Sequence, residues 1–212
     1  MVDEGMLEPE PAAAVTVFGD RVELARRFTA ALAEHGEERG LIGPLELPRL
    51  WSRHLLNSAV IAPLFTGRVA DVGSGAGLPG LVLAIARPDV EWVLIEPMER
   101  RVSWLNEQVA ELKLDNVEVV RARAEDWKGG RVFDAVTARA VSALRTLIPL
   151  TAPLVRDGGE LIFLKGKSAP AEIDAAEKQV RKFRLSAVRT ETFGEGVVDE
   201  PSTVVRAVVR AS

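Results

Sequence analysis

Asp71 stands just ahead of Gly73-Ser-Gly75-Ala-Gly77, and Leu78-Pro-Gly80 completes the run. A tight glycine turn lets a ligand approach the main chain with no Cβ in the way. Glu96 ends the next apolar run, where a carboxylate can accept both hydroxyls of a ribose. Ala124-Glu125 follows the run after that, placed to read an adenine edge through backbone N–H groups and a carboxylate. Arg139, between Ala138 and Ala140, and Lys165, ahead of Gly166, follow the next two runs and face the side where an acceptor would sit. Arg121, Arg123 and Lys167 add positive charge to the same rim, a cluster able to hold phosphates.

Two ligand classes compete for the glycine loop. Gly75-Ala-Gly77-Leu-Pro-Gly80 satisfies the G-x-G-x-x-G dinucleotide spacing. A dinucleotide, however, sets a pyrophosphate on the following helix N-terminus, where an acidic residue in the turn repels it. S-adenosyl-L-methionine has no phosphate and carries an ammonium and a sulfonium, which Asp71 favours. Asp71-Val-Gly73-Ser-Gly75-Ala-Gly77 follows the pattern of S-adenosylmethionine-dependent methyltransferases, so that compound is the expected cofactor. Asp71, Gly73, Gly75, Gly77 and Glu96 are its expected holders.

Other residues read more plainly. His54, one of two histidines, lies in Trp51-Ser-Arg53-His54-Leu-Leu-Asn57-Ser58 and reads as a packed residue rather than a catalyst. Trp51 reads as core rather than a stacking platform. No metal-ligand cluster and no general-base pair appears, and no metal is expected. The fourth strand is not followed by an Asn/Asp-Pro-Pro-aromatic sequence, which disfavours methylation of an exocyclic amino group. The absence of cysteine excludes a thiolate nucleophile, a disulfide and a Cys-ligated zinc.

These residues need strands and helices to place them. Apolar runs at Val69–Val72, Glu91–Ile95, Val117–Val120, Val132–Thr137 and Glu160–Leu164 predict strands. Helical spacing runs from Pro97 through Leu112, over 141–155 and over Ala171–Phe183. Two strands in succession, Leu185–Phe193 and Thr203–Arg210, suggest an antiparallel hairpin at one edge. The alternation predicts an α/β, seven-stranded Rossmann-like sheet of the class I S-adenosylmethionine-dependent methyltransferase plan. Ahead of it, Asp20 and Glu23 suggest a capped helix ending at Gly36, and Pro48 opens a second helix ending near Pro63. The expected division is a frayed tail over 1–17, an N-terminal helical cap over 18–66 and the methyltransferase domain over 67–212, all one structural domain.

The 212-residue chain is 47% hydrophobic, enough for one core, and no apolar run approaches the ~18 residues of a membrane span. No signal peptide is apparent, and a cytoplasmic location is expected. With a net charge of −4, any RNA contact must come from a local patch.

Four stretches together resemble the RsmG (GidB) family of bacterial 16S rRNA guanine-N7 methyltransferases. They are Arg53-His54-Leu-Leu-Asn57-Ser58, Asp71 through Gly80, Ala138-Arg139-Ala140 and Leu164-Lys165-Gly166. The resemblance implies that Gly73, Leu78, Ala124, Glu125 and Arg139 contact the cofactor. It implies that Arg123 and Lys165, with Lys167 beside them, face RNA, and that Arg139 and Lys165 serve catalysis. The implied partner is 16S rRNA or the small ribosomal subunit, at guanine 527 near where streptomycin binds, with no membrane and a monomeric enzyme. Asn57 stands where many members have Asp, and Ala138 where Ser is usual. A small-molecule methyltransferase and a non-catalytic S-adenosylmethionine-binding module are the competing readings.

Overall fold

The computed structural model describes residues 7–210. The apolar runs form strands β1 (Arg68–Val72), β2 (Glu91–Ile95), β3 (Val117–Val120), β4 (Phe133–Arg139), β5 (Val155–Lys165), β6 (Leu185–Phe193) and β7 (Ser202–Val209). They make one seven-stranded sheet in the order β3-β2-β1-β4-β5-β7-β6. Neighbouring pairs from β3 to β5 are parallel; β7 runs antiparallel to both β5 and β6. The order reverses between β1 and β4, and there the C-terminal strand ends leave a crevice.

Among the described residues eight α-helices flank the sheet: α1 (Ala13–Phe18), α2 (Val22–His35), α3 (Asn57–Ala59), α4 (Gly80–Ala86), α5 (Glu99–Leu112), α6 (Leu144–Thr151), α7 (Ala169–Ala175) and α8 (Glu177–Lys182). Helices on both faces explain why the central strands read as apolar runs rather than alternating patterns. One face packs Phe28, Leu32, Trp51, Leu55, Trp92 and Trp104 into a single cluster, so the N-terminal helices share a core with the sheet. The other face buries Leu144, Leu147, Ile148 and Phe163.

The chain departs from the sequence expectation at several joints. Part of the stretch read as a tail is ordered: α1 buries Ala14 and Phe18, and Glu10 pairs with Arg26 at 2.6 Å. Residues 1–6 lie outside the described residues. Asp20 does not cap α2 through its side chain; a 3₁₀ turn, Gly19–Arg21, leads into it. The helix expected after Pro48 is a 3₁₀ turn (Leu47–Arg49), a π-helical segment (Leu50–Leu56) and the short α3. β5 begins at Val155, earlier than the expected Glu160, because Asp157-Gly158-Gly159 stays within the strand. This tripeptide occupies an irregularity in the β4–β5 pairing, between the Phe133–Val155 and Ala135–Glu160 register pairs. The expected helix over 171–183 is divided at Ala176 into α7 and α8.

Candidate active site

The loop after β1 is shaped by glycine. Gly73, Gly75 and Gly77 all have positive φ, where a side chain is strained. A Cβ on Gly75 would meet nothing nearer than the Gly73 carbonyl oxygen at 3.7 Å, so the main chain here faces open space. Asp71 lies beneath this loop, wholly buried. Its Oδ2 accepts the Gly80 N–H at 3.0 Å, while Oδ1 has no partner. Burial pushes its carboxyl pKa up to about 7, against the pull of the nearby Ser74 hydroxyl and the Gly80 N–H. From this position Asp71 acts on the backbone of the loop. It anchors the first N–H of α4 and sets the path of the loop.

Glu96, only 2% exposed, ends β2. Its Oε2 accepts the Gly75 N–H at 3.0 Å and its Oε1 accepts the Met98 N–H at 2.9 Å. The carboxylate thus clamps the glycine loop to the approach of α5, and ribose hydroxyls would use its remaining lone pairs. After β3, Ala124–Asp126 forms a 3₁₀ turn with Ala124 buried and Glu125 exposed. Arg123 Nη1 lies 3.9 Å from Glu125, and Arg121 Nη1 3.0 Å from Glu99, both on the surface.

Arg139, at the end of β4, turns toward the π-helical segment. Its Nη1 donates to Ser58 Oγ at 3.1 Å and to the His54 carbonyl at 3.4 Å. Its Nη2 donates to the Arg53 carbonyl at 3.0 Å and to His54 Nδ1 at 2.9 Å. Burial, and then the Arg53 charge, pull its pKa down to about 10. His54 Nε2 sits 2.6 Å from Glu46 Oε2. Burial and the Arg139 charge push the His54 pKa down to about 4, outweighing the Glu46 hydrogen bond.

Lys165, at the end of β5, donates to the Ser142 carbonyl at 2.6 Å and to Glu172 Oε2 at 2.9 Å. Lys165, which the resemblance places facing RNA, has a counterion in Glu172 of α7. Lys167 beyond it is exposed. Arg53, Asn57, Arg139, Lys165 and Lys167 line one open cavity of about 680 Å³, walled on its far side by Asp199–Thr203. Gly73 adjoins this side through Val141, whose Cγ2 would lie 2.8 Å from a Cβ on Gly73. The structure therefore separates a loop side (Asp71, Gly75, Glu96, Ala124) from a cavity side (Arg139, Lys165, Lys167). Arg123 stays on the loop side, away from the cavity lining.

Sequence reading missed Glu46 and Glu172. Neither stands three or four positions from its partner within one helix: Glu46 reaches His54 across the Leu47–Arg49 turn, and Glu172 reaches Lys165 from a separate element. A charged partner that meets its residue only through a turn leaves no periodic signal.

A sheet of this order, with a glycine loop after β1 and a buried carboxylate ending β2, defines a class I S-adenosylmethionine-dependent methyltransferase. A solved S-adenosylmethionine-dependent methyltransferase from Aquifex aeolicus shares the fold at a TM-score of 0.56 and 17% identity, over 82% of this chain and 97% of that one. Closer relatives narrow the class. The family described as rRNA small subunit methyltransferase G (GidB) matches residues 21–200. Ribosomal RNA small subunit methyltransferase G of Leifsonia xyli is 68% identical over 96% of this chain and 98% of its own length. That of Clavibacter michiganensis is 62% identical, over 96% and 97%. The chain belongs to the GidB family and is a methyltransferase that takes its methyl group from S-adenosylmethionine.

Proposed function

We propose that this enzyme methylates N7 of a guanine in 16S rRNA, guanine 527 in the loop near the streptomycin site. The observation that carries the reading is the open cavity at the ends of β4 and β5, with Arg53, Arg139, Lys165 and Lys167 on its wall. A cavity of about 680 Å³ admits a nucleobase, and although Glu172, Asp199 and Glu200 also line it, Arg53 and Lys167 give its wall cations for the phosphates that accompany one. The Gly75 cradle fits the methyl donor, because bare main chain faces open space there. Gly73, Gly75, Gly77, Leu78, Glu96, Ala124 and Glu125 would hold it, with Arg139 between donor and acceptor sides. When bound, S-adenosylmethionine supplies an electrophilic methyl on its sulfonium.

The protein's own contribution is placement. Guanine N7 has an exposed lone pair and no proton, so no group has to act as a base. His54, held neutral and hydrogen-bonded on both ring nitrogens, is not free to serve as one. Arg139 and the cavity wall orient the base, an effect of position rather than of acid–base chemistry. Such a substrate puts the enzyme's work in the cytoplasm.

Mass-spectrometric mapping of 16S rRNA with and without the gene tests the assignment. A single methyl is expected to vanish from the streptomycin-site loop, with a specific change in streptomycin sensitivity. Unaltered rRNA would refute the target. In vitro, RNA carrying 7-deazaguanine at the target should bind and fail to react; methylation of that RNA would exclude N7.

A further inference from the structure

We propose that Glu46 and His54 are positioning residues that hold the Arg139 guanidinium at the acceptor cavity through one imidazole tautomer. The inference deepens the proposed function and rests on it for the identity of the acceptor. Its geometry stands alone. Arginine has five N–H donors and no acceptor, so the His54 nitrogen facing Arg139 Nη2 at 2.9 Å must present a lone pair. In a neutral ring the proton is then on Nε2, which donates it to Glu46 Oε2 at 2.6 Å. Glu46 is in turn fixed by Arg49, whose Nη2 donates to Oε1 at 2.6 Å. A carboxylate ahead of the π-helical segment thereby selects the tautomer that receives an arginine on β4.

The charged groups facing the ring are Glu46 from the preceding loop, Arg53 from its own segment and Arg139 from β4. Two of the three are cationic, and the ring is buried, so it stays neutral at working pH. The π-helical segment contributes more than the ring. Its Arg53 and His54 carbonyls also accept from Arg139, and Ser58 of α3 takes Nη1. The guanidinium is thus gripped at both terminal nitrogens, the condition for presenting one fixed face to the cavity. Each of these carbonyl oxygens has two lone pairs and can accept from Arg139 beside any other bond, and π turns recur at functional sites.

Two near-isosteric variants separate the two bonds. In His54→Asn the amide oxygen falls near the Nδ1 position and still accepts from Arg139, while the Glu46 bond is lost. In His54→Gln the amide reaches the Nε2 position and keeps Glu46, leaving Arg139 without that acceptor. Both variants should be slower than wild type. His54→Gln should be the slower by about tenfold to a hundredfold in kcat, the scale of one hydrogen bond to a charged group, with KM for RNA little changed. A merely structural histidine predicts the same loss in both. Equal kcat values would overturn the proposal. Nitrogen-15 spectra of the wild-type protein give a test without substrate, since only His35 and His54 contribute. An unprotonated Nδ1 and a protonated Nε2 at His54 are expected, and the reverse would overturn the proposal even if neither variant folds. Should the wild-type enzyme leave guanine N7 unmethylated, the RNA target fails separately, and these spectra still decide the tautomer chain.

Discussion

Asp71 acts on the glycine loop from beneath, through the Gly80 N–H. Its pKa in the folded protein is about 7, against 3.8 for the free group. Folding therefore favours the protonated form. The group's contribution is fully present below pH 3.8 and is lost as pH rises through about 7. Asp71→Asn keeps an acceptor for the Gly80 N–H and removes the titration. The variant should match wild type near pH 4 and gain relative to it up to about 4 kcal/mol by pH 8. Urea denaturation at the two pH values checks this; a pH-independent difference would show that the carboxyl is not the titrating group. Lys165 and Lys167 supply a second contrast. Each phosphate contact adds about 0.7 to the slope of log K against log salt for single-stranded RNA. Lys167→Ala should lose that full increment, and Lys165→Ala less, because Glu172 already neutralises much of its charge. Equal slopes for the two variants would mean that RNA displaces Glu172.

At the scale of elements, the glycine loop divides into positions that pack and a position that receives. A Cβ on Gly80 would lie 2.4 Å from Leu94 Cδ2 and 2.5 Å from Asp71 Oδ2. Gly80→Ala should therefore destabilise the fold by about 1–3 kcal/mol, the range for overpacking. Gly75→Ala meets open space and should cost only the strain of its positive φ, about 1–2 kcal/mol. It should nevertheless weaken S-adenosylmethionine binding more than Gly80→Ala does. Calorimetry and thermal denaturation on the same two proteins separate the effects, and the opposite ranking for binding would relocate the cradle. The same contrast explains what was legible beforehand. Buried parallel strands announce themselves as apolar runs, so β1 to β4 and the glycine turn stood out. The π-helical segment did not, because Trp51, Leu55 and Ser58 also satisfy ordinary helical spacing. The early start of β5 was hidden by Asp157-Gly158-Gly159, which reads as a turn until β4 is seen beside it. Arg139 was legible as a residue at a strand end, but its partners were not. They lie about eighty positions earlier in the chain and meet it only through the crossing of sheet and cap.

The whole molecule binds its N-terminal helices to the sheet through one continuous core, from Ala14 and Phe28 to Trp104 and Leu164. Unfolding should be a single transition, with tryptophan fluorescence (Trp51 in the cap, Trp92 and Trp104 against the sheet) and far-ultraviolet circular dichroism moving together. Separate transitions would mean that the cap is an independent unit. The last strand has a consequence for genetics. β7 is the latest of the strands to be made, yet it lies inside the sheet, between β5 and β6. Until Ser202–Val209 exists, the backbone of Leu161–Leu164 is an unpaired apolar edge, open to any other chain. A nonsense codon just upstream of Ser202 removes none of the glycine loop. Its product should still be lost to aggregation, making late truncating alleles as severe as early ones, whereas missense changes on the exposed face of β6 should segregate as silent.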